Sequence, residues 1–532
     1  MTGVQTCALP ICEASFADVA GSFAAAIWDR KVQTLLLVND RLGLRPIYYT
    51  EHGGLFRFAS EVKAILTDPN FPHCLDEAAV ADLFNFSFVM GEKTLFEDIK
   101  LLPASSFLRY RDGHWAISRY WDLTYPDRYP RHPDKWYADL IYEALKNAVT
   151  RMVRPEVRYG LSLSGGLDSR WIAALLSEVQ SESQAFTLGT DDSDDVPFAK
   201  MVAKQNGMVH HCWPSAPNFL AELGEAYAYI VDGMDDLLHM EEFPLTVQVG
   251  EYADVSVGGF LGDGLFGYEV NPISASLRKS DVVPYRLWRT RGGRPSDELM
   301  AQAFGEQKGR ALSAQAVDSL SRCFAEAPCD RGFQAIQYFD LRQAERRFAY
   351  LAQLAKLPYV DVYHPIADHE VIDAALQLPP DQLMFERAYR RAMILHLPEM
   401  GAIPWTFTLT TPDISVPALL AKKVTQLTLG NWLRGTRWGQ HPLIRARRYY
   451  VNYHRWSRGP LRAFFEQVLL SPETAALGLF DMDGLRTALS DHMEGRKVHI
   501  DFLGTALTVA LWARLFYLPS TPLRPQSLEV AA

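Results

Sequence analysis

The chain has 532 residues, of which 48% are apolar and 22% charged, with a formal net charge of −10. That length implies two or three globular domains with ample core, and the negative balance argues against a nucleic-acid partner. The six cysteines (Cys7, Cys12, Cys74, Cys212, Cys323, Cys329) have no metal-ligand spacing and read as free thiols of a cytoplasmic protein.

Residues 1–11 look like the translation of a sequencing-adapter oligonucleotide, so 1–12 are set aside as non-native, and the natural protein is expected to begin further upstream. From residue 16 to about 121 the pattern is short strands and hairpins. An apolar run covers 32–38, residues 46–60 alternate around His52-Gly53-Gly54, and 107–120 alternate around Asp112-Gly113. A helix is predicted over 78–86, and a polar, proline-containing linker over 125–133. Beyond it, apolar residues recur at helical spacing from Trp136 to Met152. Strands are then predicted at 159–164, 184–189, 209–213 and 254–258, with helices ending near 179, 205 and 230 and another over 243–252. Repeated βα units imply a parallel sheet whose ligand sits outside the carboxyl ends of the strands. Residues after about 275 read mostly as helix. The apolar run 503–518 is short for a bilayer span and carries Arg514, so it reads as a buried helix and no membrane partner is expected.

The most informative stretch is 161–170, Leu-Ser-Leu-Ser-Gly-Gly-Leu-Asp-Ser-Arg. A strand, a glycine turn and a helix start point backbone N–H groups and a helix dipole at one place, which suits a polyphosphate. Two adjacent glycines let the anion approach the backbone, and the hydroxyls of Ser164 and Ser169 add donors. Asp168 would repel phosphate unless a divalent cation lay between, which implies Mg²⁺. The lysine of the Walker loop is missing.

The stretch resembles the SGGxDS pyrophosphate loop of ATP pyrophosphatases, and the whole chain resembles the asparagine synthetase family. Asn39–Tyr49 and Ser60–Leu66 are similar to that family's "RDxxGxxPLYY" and "SExKAL" segments. Phe186-Thr187-Leu188-Gly189, residues 259–268, His364-Pro365-Ile366-Ala367-Asp368 and Glu386-Arg387 resemble further family segments. The implied fold is an α+β remnant of an N-terminal-nucleophile, type 2 glutamine amidotransferase domain (13–124). It is followed by an α/β parallel-sheet ATP pyrophosphatase domain with a helical C-terminal part (134–525). The implied function is an AMP-forming carbon–nitrogen ligase that uses ATP and Mg²⁺. It would activate a carboxylate, first of all aspartate, as acyl-adenylate for attack by ammonia, with glutamine as donor in the full-length protein. A ligase acting on a sugar uronate or peptide side chain, and a decayed nucleotide-binding protein, stay open as alternatives, as does a homodimer.

By the same resemblance, Asp168, Asp263 and Arg387 are the expected catalytic residues, with Asp168 and Asp263 on the metal and Arg387 on the leaving pyrophosphate. ATP is expected to contact Leu161, Ser162, Leu163, Ser164, Gly165, Gly166, Leu167, Asp168, Ser169, Leu188 and Gly259. Two departures stand out. Position 2 is Thr2, not the family's nucleophilic cysteine, and Cys7 and Cys12 are internal, so no glutaminase is expected and free ammonia would be the nitrogen source. Phe260 stands where the family has a glutamate that assists amidation, with Leu261 the neighbouring candidate, and neither can carry a proton. His210 and His211 read as packing or capping residues. Residues 414–465 hold ten Lys/Arg and no Asp/Glu among aromatics, which suits an anionic polymer or an acidic neighbour within the protein.

Overall fold

A computed structural model describes residues 13–180, 182–190, 192–425, 447–519 and 521–530. Seven strands precede the linker: β1 (Ala24–Asp29), β2 (Thr34–Asn39), β3 (Tyr48–His52), β4 (Leu55–Ala59), β5 (Lys100–Leu101), β6 (Ser106–Arg111) and β7 (His114–Arg119). They form two antiparallel sheets, β1-β2-β6-β7 and β4-β3-β5. Both hairpins fall where the turn residues predict them. His52 faces Leu55 across Gly53 and Gly54, and Arg111 faces His114 across Asp112 and Gly113, all four turn residues at positive φ. Leu37, Ile47, Tyr49, Leu102 and Leu108 bury the face the sheets share, while Trp28 on the edge strand β1 stays exposed.

The helix Glu77–Phe86 starts where the Asp76 carboxylate accepts the Ala79 N–H. Its apolar side leaves the sheets and packs on the C-terminal helices. The Phe84 ring lies 5.0 Å from Phe304 and 5.1 Å from Phe502. The predicted C-terminal helix is there, as Ile500–Trp512 continued by a π turn. Among the described residues only this segment is long and apolar enough to cross a membrane, and 83% of it is buried inside the protein.

The second half is built on five parallel strands, β8 (Tyr159–Ser162), β9 (Gln184–Leu188), β10 (Val209–Trp213), β11 (Val255–Val257) and β12 (Asp361–Tyr363), in the order β10-β9-β8-β11-β12. The first four lie within the predicted ranges. β12 falls in the region that reads mostly as helix, because three residues are too few to show alternation. It is a strand only through its pairing with β11. The chain winds outward from β8 to β10 and then returns to β11 on the other side of β8. This reversal opens a crevice at the carboxyl ends of β8 and β11, where open α/β sheets bind ligands.

One helix joins the halves. Asp340–Ala349 is a π-helix, and its wide turn places Arg342, Arg346 and Arg347 against the N-terminal sheets. Arg342 donates to Ser105 Oγ at 2.8 Å and to Asp122 at 2.6 Å. Arg346 donates to the carbonyls of Gly43 and Leu102, and Arg347 to those of Val89 and Lys93. The other face of the same helix looks into the crevice.

Candidate active site

The crevice is a cavity of about 910 Å³. The glycine loop after β8 forms one wall, residues 258–264 after β11 a second, and the π-helix a third. Of the residues expected to hold nucleotide or metal, Ser162, Leu163, Ser164, Gly166, Leu167, Asp168, Ser169, Leu188, Gly259 and Asp263 all line it. The helix Leu167–Val179 begins at Gly166 with no side-chain cap, so its first N–H groups are left for an anion. Within the loop, Ser169 Oγ accepts the Ser164 N–H at 3.1 Å, and Ser164 Oγ accepts the Gly166 N–H at 3.1 Å.

Three expected positions do not line the cavity. Leu161 is fully buried in the core beneath the cavity, because β8 is the central strand. Gly165 also stays out of the cavity, turned to the opposite side of the loop. Its N–H goes to Asp195, its carbonyl accepts from Thr406, and a Cβ there would sit 2.4 Å from Thr406 Cγ2. Arg387 is the largest correction. Phe385 and Glu386 both take positive φ, which turns Glu386 to the cavity and starts the next helix with Arg387 pointing outward. There Arg387 pairs with Asp134 at 2.9 Å, 44% exposed, and does not line the cavity.

The cavity's cations are instead Arg286, Lys356 and Arg447, none of them singled out by the sequence reading. Each already has a carboxylate partner: Arg286 with Asp340 at 3.6 Å, Lys356 with Glu242 at 2.9 Å and Arg447 with Asp195 at 2.6 Å. Arg447 belongs to the basic segment. With Arg448, which pairs with Asp194, it faces acidic residues of the protein itself, and Tyr449 and Tyr450 close the cavity beside it. Residues 426–446 of that segment lie outside the described residues. His210 bonds Thr187 at 2.8 Å and His211 stacks on Phe186, as packing residues do. The described cysteines form no disulfide.

Asp168 is pressed in by its neighbours. A Cβ on Gly262 would fall 2.1 Å from its Oδ1, so only glycine fits there. Oδ1 is buried and has no hydrogen-bond partner. Burial first, and then the charge of Asp263, raises the Asp168 carboxyl well above the usual carboxylate range, and burial raises Asp263 as well. An orphaned buried oxygen facing a second carboxylate at the cavity wall fits a divalent cation. No group of three or more metal-binding side chains occurs among the described residues. Two carboxylates completed by phosphate oxygens and water is the usual pattern for Mg²⁺.

Asp340 and Glu345 extend this acidic wall. Burial lifts Asp340 to about 7, and burial with Asp263 and Asp340 lifts Glu345 to about 8. A carboxyl raised on folding stabilises below its unfolded value and loses that contribution as pH rises through its folded value. The nucleotide-free protein should therefore lose stability from about pH 4 to pH 8. Asp340→Asn should flatten that fall, measured as melting temperature against pH for the two proteins. Parallel curves would refute the assignment.

A parallel sheet with a glycine-loop helix start and a facing carboxylate pair defines an ATP pyrophosphatase-like site. Comparison with known families agrees. Residues 8–121 match a glutamine amidotransferase domain, and residues 140–400 match asparagine synthase. The chain belongs to the asparagine synthetase family. It is 28% identical over 271 residues to asparagine synthetase [glutamine-hydrolyzing] 3 of Bacillus subtilis, covering 46% of this chain and 43% of that protein. It is 27% identical over 253 residues to a putative asparagine synthetase [glutamine-hydrolyzing] 2 of Methanocaldococcus jannaschii, covering 46% and 49%. It is also similar to amidase chry2 of Gibberella zeae, 30% identical over 184 residues, covering 32% of this chain and 25% of that protein. The chain thus spans less than half the length of these relatives.

Proposed function

We propose that the protein is an ATP-dependent, AMP-forming amide ligase. A substrate carboxylate attacks the α-phosphorus of ATP, pyrophosphate leaves, and ammonia displaces AMP from the acyl-adenylate. The observation that carries this reading is the buried, unpartnered oxygen of Asp168 at the end of the glycine loop, opposite Asp263. Mg²⁺ held by those two carboxylates would neutralise phosphate charge. The loop N–H groups position the phosphates, and Leu188 and Tyr450 enclose the nucleotide's apolar part. Carboxylate-dependent exchange of labelled pyrophosphate into ATP, with AMP as product, tests the reading. Release of ADP and phosphate would refute it.

The acceptor is aspartate by family resemblance, but one observation favours a bulkier, less charged acid. The Phe260 ring packs 5.1 Å from Tyr350 and 5.0 Å from His364, making that wall apolar. The three cavity cations already have carboxylate partners, so among the described residues none waits for aspartate's second carboxylate. The protein should therefore form asparagine slowly. Phe260→Glu should raise asparagine formation by about 10-fold or more by restoring a proton acceptor. Asparagine formation by the wild type at ~1 s⁻¹ or faster would show that the wall does not select against aspartate.

A further inference from the structure

We propose that Glu345 accepts the proton of the attacking amine in the amide-forming step, from the wall adjoining the position where Phe260 replaces the family's glutamate. This rests on the ligase reading above. The loop carrying Phe260 continues into the short helix Gly262–Phe266, which carries Asp263 and packs on the π-helix Asp340–Ala349. At this contact Gly264 leaves room for the Glu345 carboxyl. A Cβ there would sit 2.6 Å from Glu345 Oε1, and the Gly264 N–H bonds the carboxyl. Tyr350, five residues along from Glu345, touches the Phe260 ring. Glu345 therefore enters the cavity beside the wall that lost its acid–base group. π turns inside helices are frequent at functional sites.

The other titratable groups nearby serve less well. Asp340 and Glu269 are paired with Arg286 and Arg289, whereas no cation ion-pairs with Glu345 among the described residues. His364 lines the cavity with both ring nitrogens buried and without partners, but burial pushes it down to about 3, too weak a base for an amine. Glu345 enters the cavity with the Gly264 N–H on its carboxyl, and burial raises its affinity for a proton. In the step, the amine nitrogen bonds to the acyl carbon. The bond from that carbon to the phosphate oxygen breaks with its electron pair on AMP. One N–H proton passes to Glu345 Oε, leaving a neutral amide, AMP and a protonated Glu345.

The test separates the two half-reactions of the whole chain. A panel of carboxylic acids is screened for pyrophosphate exchange, and the best acid is then offered ammonia or hydroxylamine. Hydroxylamine is less basic, attacks acyl-adenylates readily and needs little help with its proton. Glu345→Gln should retain exchange and hydroxamate formation, which also shows that it folds, but lose about 10²–10⁴-fold in amide formation from ammonia. Adding Phe260→Glu to this variant should restore part of the ammonia rate. Ammonia and hydroxylamine rates that fall together, or an unchanged ammonia rate, would overturn the proposal while leaving the ligase reading standing. Absence of exchange by the wild type with every acid would overturn both.

Discussion

Asp168→Asn should reduce pyrophosphate exchange by about 10³-fold or more while leaving the protein folded and at least as thermostable as the wild type. The two effects have one cause. Asp168 is a half-buried carboxyl whose Oδ1 is buried without a donor and which feels the charge of Asp263, so the ionised side chain is a cost to the fold. The amide removes that repulsion and with it the charge that would hold a cation against the phosphates. Exchange, and melting temperature with and without ATP and Mg²⁺, are the readouts. Nucleotide and metal should raise the melting temperature of the wild type only. A variant that exchanges normally would exclude Asp168 from the metal.

Arg170→Leu should be the most destabilising single change around the loop, on the order of 3 kcal/mol or more, and should abolish exchange. Arg170 is fully buried and pairs with no carboxylate among the described residues. Its guanidinium donates to five carbonyls: Gly165 at 3.1 Å, Gly166 at 3.0 Å, Met400 at 3.1 Å, Ile403 at 2.7 Å and Pro404 at 2.9 Å. Burial without a counter-charge lowers its pKa to about 10, so it remains charged at neutral pH. It thereby ties both loop glycines to the segment carrying Trp405 and Thr406, which line the same cavity. Leucine would leave those carbonyls buried without donors. Urea denaturation and exchange assays measure the two losses. A change within 1 kcal/mol would mean that water or a neighbouring donor replaces the guanidinium.

Local chemistry made the loop legible from the residues alone. A strand ending in Ser-Gly-Gly and followed by a helical run has few other conformations, and Asp168 beside a phosphate site has few roles without a cation. The hairpins at His52-Gly53-Gly54-Leu55 and Arg111-Asp112-Gly113-His114 were legible for the same reason, since turn residues act within four positions. Asp263 could be placed because family resemblance aligned residues 259–268, and it does line the cavity.

Contacts between distant segments were decided only by the tertiary structure. Arg387 has the residue type and family position of a phosphate clamp. Two left-handed residues before it and Asp134 in a distant helix draw it to the surface instead. Arg447, Lys356 and Glu345 reach the site from segments 177–279 residues beyond Asp168, and their charges alone do not mark them among the chain's 53 basic and 63 acidic residues.

 The strand β12 and the reversal between β8 and β11 are likewise invisible locally, because a three-residue strand exists only through its neighbour.

The sequence by itself therefore determined the strand–glycine turn–helix junction that carries Asp168 and the order of βα units, all set by interactions within a few residues. The tertiary structure decided which side chains complete the cavity. Burial and charge pairing between remote segments bring Glu345 beside Phe260, commit Arg447 to Asp195 and exclude Arg387.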